Sequence, residues 1–197
     1  KEIDDFFKFF GITKNTQYIL FVGRLESKKN LERLIKAFAI FVKERPEFFL
    51  VLAGSRGLNF SRIIKVIESL KIQDKVIMPG YVNEIEKAAL YKHCRLFAFP
   101  SLYEGFGIPI LEAYACHCPI AISNTSCFPE IAGDAAIYFD PYSVKDIANT
   151  IEAIIYNPKK ANELIQKGIK RLELYSWEKT VVETEETYKK AIQGYNF

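Results

Sequence analysis

Along the chain, short runs of aliphatic, β-branched and aromatic residues alternate with longer stretches whose apolar positions recur every three or four residues. YILFV (18–22) is the first such run, and Leu31, Leu34, Ile35, Phe38 and Phe41 then repeat at helical spacing. FFLVLA (48–53) reads as a second strand, followed by a helical set at Ile63, Ile64, Ile67 and Leu70. The pattern continues through VIM (76–78), a helix from Ile85 to His93, and LFAF (96–99). It then predicts a helix from Pro109 to Cys116 and short strands at PIAIS (119–123) and AIYF (136–139). From Val144 onward only helices are expected, one to about Tyr156, one to about Leu174, and one from Trp177 to about Ile192.

Short, continuous apolar strands must be covered on both faces, and their alternation with helices implies parallel pairing through right-handed crossovers. The expected fold class is therefore α/β, a doubly wound, Rossmann-like parallel sheet followed by C-terminal helices. No internal repeat, low-complexity tract or Pro/Gly/Ser linker divides the chain. Residues 1–197 read as one domain, with a core at about 17–175 and a terminal helix in 176–197. The Phe-rich start, DDFFKFF, and that helical end are the two expected appendages.

Composition narrows the picture. With 49% apolar and 26% charged residues in 197, the chain suffices for one sizeable core and falls short of two full domains. Its net charge of +3, with both signs interspersed, argues neither for a nucleic-acid footprint nor for a strongly membrane-seeking surface, and no nucleic-acid partner is expected. Neither a bilayer-length apolar run nor a secretory start is evident, so a cytoplasmic location is expected. Lys1, standing where Met would open a gene product, points to an internal segment of something longer. Cys94, Cys116, Cys118 and Cys127 lack a paired C-x-x-C arrangement. Even with His117 between Cys116 and Cys118, they read as small apolar side chains rather than zinc ligands. His93 and His117 both stand near helix C-termini, which favours structural roles.

In sheets of this kind ligands bind beyond the carboxyl ends of the strands. The unusual residues all fall there: GRLESKKN (23–30), GSRG (54–57), PGYV (79–82), PSLYEGFG (100–107) and SNTSCFPE (123–130). Each alone is ordinary turn chemistry; together they mark one edge. Arg24 and Lys29 precede a helix whose dipole disfavours cations, so an anion such as a diphosphate is expected to compensate. A solvated basic turn is the plainer alternative. In SLYEGFGIPILEA (101–113), Gly105 and Gly107 permit close backbone approach, and Pro109 fits a first helical turn. The amides there form an anion cradle in which Phe106 and Ile108 also sit. Glu112 is placed in the first turn of the helix, where a carboxylate can accept from a diol, and Glu104 flanks the cradle's other side, where it can hold a sugar hydroxyl. Both glutamates can equally be read as complementing the helix N-terminus.

The combination GRLESKKNLERLIKAF, GYV and FPSLYEGFGIPILEAYACHCPIAISNTSCFPEIAGDAAIYFDP resembles the donor-binding C-terminal domain of retaining family 4 glycosyltransferases, which have the two-domain GT-B architecture. The likeness runs from about Tyr18 to Glu178. It implies that Glu112 binds ribose, that Glu104 lies against the donor sugar, and that Arg24 and Lys29 hold the diphosphate. It also assigns Gly23, Gly54 and the amides of Gly105, Phe106, Gly107 and Ile108 to the donor site, with Tyr81 and Val82 at the base. Glu104, Arg24 and Lys29 would carry the chemistry. Asn30 and His117 depart from the family pattern, each standing where glycine is common. A left-handed residue or a different helix cap is expected at His117.

The activity implied is transfer of a hexose, with mannose from GDP-mannose favoured by the wording of SNTSCFPEIAGDAA, to a saccharide or lipid-linked acceptor. No metal or other cofactor is implied, and no Asp-x-Asp occurs. An N-terminal acceptor-binding domain is the expected partner, crossed to by the last helix, and this chain alone is expected to be inactive. The full enzyme is expected in the cytoplasm, at the inner face of the membrane where it associates with one. A non-catalytic α/β nucleotide-binding module, or a phosphorylase or nucleotide-sugar epimerase of similar architecture, are the competing readings.

Overall fold

A computed structural model describes residues 2–13 and 15–194. The described strands are β1 (Gln17–Val22), β2 (Phe48–Ala53), β3 (Val76–Gly80), β4 (Leu96–Phe99), β5 (Ile120–Ser123) and β6 (Ile137–Phe139). They form one sheet in the order β3-β2-β1-β4-β5-β6, with every pairing parallel. The order reverses between β1 and β4, so the loops leaving those two strands diverge to opposite faces and leave a crevice between them. Residues in β1, β2, β4 and β5 are almost all fully buried, as expected of strands covered on both faces. Edge strand β3 is half-buried throughout and accommodates Pro79, whose missing N–H is harmless on an edge.

The helices are α1 (Glu2–Phe9), α2 (Leu31–Glu44), α3 (Phe60–Leu70), α4 (Glu84–His93), α5 (Ile108–Ala115), α6 (Phe128–Ala132), α7 (Val144–Ile155), α8 (Pro158–Leu172) and α9 (Trp177–Gly194). In α2 the stripe of Leu31, Leu34, Ile35, Phe38 and Phe41 is buried as its spacing predicts. The helix ends at Glu44, and Arg45 lies outside helical dihedrals, as the residue before Pro46 must. Packing groups α3, α2 and α7 in one layer and α1, α4, α5 and α8 in another.

Two segments depart from the sequence expectation. The Phe-rich start is no appendage: α1 lies on α4, with Phe7 edge-on to His93 at 5.6 Å and Phe6, Phe7 and Phe10 against the core. Its apolar face has a neighbour that only the tertiary fold supplies. The five-residue α6, inside what reads as a loop, is held by buried Phe128 and Ile131. By contrast α9 has no buried residue at all, and Trp177, Val181, Val182, Tyr188 and Ile192 stand exposed along it.

His117 adopts the left-handed conformation expected, with φ 55°. Its N–H donates to Tyr114 O and that of Cys118 to Ala113 O, at 3.0 and 2.9 Å, which is a Schellman cap made without glycine. Cys118 is buried with its Sγ 3.1 Å from that of Cys94. Burial and this neighbour push the Cys118 thiol well above the ordinary range, so it stays protonated and packs as a small apolar group.

Candidate functional site

The loops after β1, β2 and β3 are laced together beyond the strand ends. Gly23 N–H donates to Ala53 O (2.9 Å), Gly54 N–H to Gly80 O (2.7 Å) and Leu25 N–H to Ser55 O (2.8 Å). Gly54 has φ 143°, and a Cβ there would stand 2.0 Å from Gly23 O. The close approach that demands this glycine is therefore between two loops of the protein. These loops and the start of α4 enclose a cavity of about 540 Å³ lined by Gly23, Arg24, Gly54, Tyr81, Val82 and Lys87, among others. Arg24 is mostly exposed, its guanidinium only 3.8 Å from Glu26, so it is able to move onto a ligand.

Lys29 closes a single 3₁₀ turn, Ser27–Lys29, ahead of α2. Asn30 follows with φ 56°, a left-handed residue for which Asn is, after Gly, the least strained choice. Its buried side chain donates to Pro100 O (3.1 Å) and Pro141 O (2.8 Å) and accepts from Arg33 (2.8 Å). The amide thus ties the loop after β1 to those after β4 and β6, a task glycine cannot perform. Held in this way, Lys29 meets Glu104 across the crevice, Nζ to Oε1 at 2.5 Å, with side chains 12% and 16% exposed. Phe99 lies under the ammonium at 5.8 Å. A cation and an anion from opposite sides of the strand-order reversal have been brought into one shielded pair.

The loop bearing Glu104 is fixed from the other direction by residues 125–127. Glu104 N–H donates to Ser126 Oγ (3.1 Å), which donates in turn to Glu104 O (2.8 Å), and Cys127 Sγ lies 3.1 Å from Phe106 O. The amide of Glu104 is consequently engaged. Those of Gly105, Phe106, Gly107 and Ile108 donate to no acceptor among the described residues, as an anion cradle requires. Gly107 caps α5 at φ 95°, where a Cβ would press on Ile110 and Phe128 at 3.1 and 3.3 Å. Phe106 turns its ring edge-on to Tyr175 at 5.8 Å, and Ile108 is half-exposed.

Glu112 departs from expectation in position. It is the fifth residue of α5, in the second turn, too far along to complement the helix N-terminus. Its charge is answered instead by α4: Lys87 Nζ lies 2.7 Å from Oε1, and Tyr91 OH donates to Oε2 at 3.2 Å. Lys87 also binds Glu84 at 2.9 Å. Burial disfavours the Lys87 ammonium, but the hydrogen bonds it donates to Glu112 and Glu84, with their charges, outweigh it and hold its pKa above the ordinary lysine value. Burial, and then the charge of Glu112, push Tyr91 well above its ordinary value, so its hydroxyl keeps the proton it donates. Sequence reading missed Lys87, Glu84 and Tyr91. Their spacing puts Lys87 and Tyr91 on one helical face, yet nothing local says that this face meets α5.

The structure thus gathers Gly23, Arg24, Gly54, Tyr81 and Val82 around one cavity, and Lys29 with Glu104 across the adjoining crevice. Lys87 lines that cavity and reaches Glu112. Among the described residues no cluster of three or more His, Cys, Asp or Glu side chains forms that could hold a metal ion, and no helix is long and apolar enough to cross a membrane.

A doubly wound parallel sheet with a charged crevice at its reversal point defines the class of Rossmann-like α/β domains. Within it, residues 2–171 match the family model of the glycosyl transferases group 1, and the chain belongs to that family. It is 32% identical over 173 residues to the O-antigen chain mannosyltransferase B of Escherichia coli, a match covering 87% of this chain and 45% of that protein. Its fold superposes on sucrose-phosphate synthase from Thermosynechococcus elongatus with a TM-score of 0.83 at 24% identity, covering 97% of this chain and 49% of the other. The C-terminal domain of a group 1 glycosyl transferase (LpcC) from Francisella tularensis gives a TM-score of 0.71 at 23% identity, over 80% of this chain and 85% of that domain. The chain is a GT-B glycosyltransferase domain, and it spans about half the length, or less, of the full-length relatives named here.

Proposed function

We propose that this chain is the donor-binding half of a retaining hexosyltransferase, and that its donor is a nucleoside diphosphate hexose, with GDP-mannose the first candidate. The observation that carries the reading is the shielded Lys29–Glu104 pair at the strand-order reversal, beside a cavity lined by Arg24. The 32% identical mannosyltransferase supports the choice of sugar. In this reading the base lies near Tyr81 and Val82, and Glu112, oriented by Lys87 and Tyr91, accepts from the ribose diol. Arg24 moves onto the diphosphate, and Lys29, already fixed, meets it from the crevice. Glu104 accepts from a hydroxyl of the sugar.

As the bond from the anomeric carbon to the diphosphate breaks, negative charge grows on the departing oxygen. Lys29 and the amides of Gly105 to Ile108 favour that state, because they are oriented before reaction and need not reorganise, and Arg24 adds its charge once it has moved onto the diphosphate. Acceptor binding is assigned to a separate N-terminal domain, and transfer by this chain alone is not expected. The test is the melting temperature of the chain with each common nucleoside diphosphate and with the matching nucleosides. One diphosphate at about a hundred times its Kd should add roughly 2.7 kcal/mol, with little from its nucleoside. If no nucleoside diphosphate raises the melting temperature, the donor-site reading is wrong.

A further inference from the structure

A second cavity, of about 340 Å³, lies among the start of α2, the start of α3 and the start of α7. It shares no lining residue with the cavity beside Arg24. Arg33, Lys36 and Arg62 line it, with Ser27 and Asn30 at the turn that precedes α2. Arg33 is the third residue of α2 and Arg62 the third of α3, both in first turns where the helix dipole disfavours a cation. Lys36 lies one turn beyond Arg33 on the same face. Val144 brings the first residue of α7 to the same place, so three helix N-termini and three cations converge.

None of the three cations pairs with a carboxylate of any other described residue. The negative groups nearby do not balance them. Glu32 is the single carboxylate in the lining, and Asp146, in the first turn of α7, already accepts from the N–H of Asp140 at 2.7 Å. Arg33 is also pre-oriented: one N–H donates to Asn30 Oδ1 at 2.8 Å, and its guanidinium stacks over Tyr142 at 5.4 Å. The remaining donors of its planar fork stay available, and that geometry matches a phosphate. Three unpaired cations around one concavity, one of them half-buried and pre-oriented, are matched by an anion with several acceptor oxygens.

We propose that this cavity is a second anion site, separate from the one assigned to the donor, that takes a phosphate-bearing ligand. The phosphate belongs either to a soluble metabolite or to a lipid headgroup, and one set of variants separates the sources. Titration with inorganic pyrophosphate at low salt should give two binding events on the parent chain. Arg24→Ala should remove one, and the double variant Lys36→Ala, Arg62→Ala should weaken the other about tenfold or more, since each charge-assisted contact contributes a tenfold factor or better. Both residues of the double variant are exposed, so folding is retained, which circular dichroism checks. A single event lost in the double variant and kept in Arg24→Ala would support this site while removing the support for Arg24 at the other.

The same pair of proteins is then titrated with a hexose phosphate and sedimented with phosphatidylcholine vesicles containing phosphatidic acid. Binding of the hexose phosphate that the double variant loses assigns a soluble ligand; vesicle binding that it loses assigns a headgroup. Pyrophosphate binding alone still upholds the shared chemistry. If the double variant binds pyrophosphate, hexose phosphate and vesicles just as the parent does, the proposal is overturned.

Discussion

Two lysine–carboxylate pairs bracket the segment 101–113, and they are built in opposite ways. Lys29 and Glu104 both lie on loops, on either side of the strand-order reversal, and hold each other at 2.5 Å. Lys87 and Glu112 both lie inside helices, α4 and α5, and meet at 2.7 Å with Tyr91 as a third partner. The helical pair inherits its geometry from packed helices and a capping box at Asn83 and Glu86. The loop pair has no such frame, and depends on Asn30 from one side and Ser126 from the other. Charges carried on loops can shift with their surroundings, while charges carried inside packed helices are held where the helices put them.

The most severe way to break this contrast is to cut the loop pair's anchor. Asn30→Ala loses two donated hydrogen bonds to buried carbonyls and leaves a left-handed backbone without its favoured residue. A loss of about 3 kcal/mol in urea denaturation is expected, with Asn30→Gly relieving the backbone share only. A loss within about 0.5 kcal/mol would show that the loops hold themselves. Next in size, Lys29→Ala should weaken nucleoside diphosphate binding by about 2 kcal/mol in calorimetry, and nucleoside binding by much less. Equal losses on both ligands would make Lys29 a structural cation.

A smaller effect should follow from the helical pair. Glu112→Gln is expected to cost about 1 kcal/mol in ribonucleotide binding and to narrow the preference over the 2′-deoxy form. A parent chain that binds both forms alike would remove the ribose role. The smallest change is expected with pH. Because Lys87 is held above its ordinary value, the stability it adds is fully present below its unfolded pKa and is lost only as pH rises through the folded one. The difference in stability between the parent and Lys87→Gln should therefore stay flat from about pH 6 to about pH 9 and shrink only in stronger alkali. A slope within that interval would mean that another group titrates against this pair.

Much of the site was legible because it is local. Arg24, Lys29 and Glu104 stand in loops that follow apolar strands, and strand ends of a parallel sheet share one edge by topology alone. The left-handed state at His117 was equally readable, since the helix before it must end before PIAIS begins. Glu112 was placed in the first turn of its helix and stands in the second, because α5 starts at Ile108, directly after Gly107, rather than at Pro109. Asn30 was noticed only as a departure from a pattern. Its role requires knowing that Pro100 and Pro141, 70 and 111 residues further on, put their carbonyls beside it.

The hydrophobic pattern by itself determined the parallel strands, the alternation of helices and the edge at which the candidate site gathers, since each strand must be covered on two faces and the strand ends of a parallel sheet share one edge. Only the tertiary structure decided which charges meet. Lys29 with Glu104, and Lys87 with Glu112, are separated by 75 and 25 residues, and each pair forms because packing of other elements sets two backbones at the right distance. Likewise α1 packs on α4 and half-buries Phe6 and Phe7, while α9 stays exposed, although both are amphipathic, because α4 offers the first a surface and no described element buries any residue of the second. Periodicity tells a residue which way to face; the rest of the fold determines what it finds there.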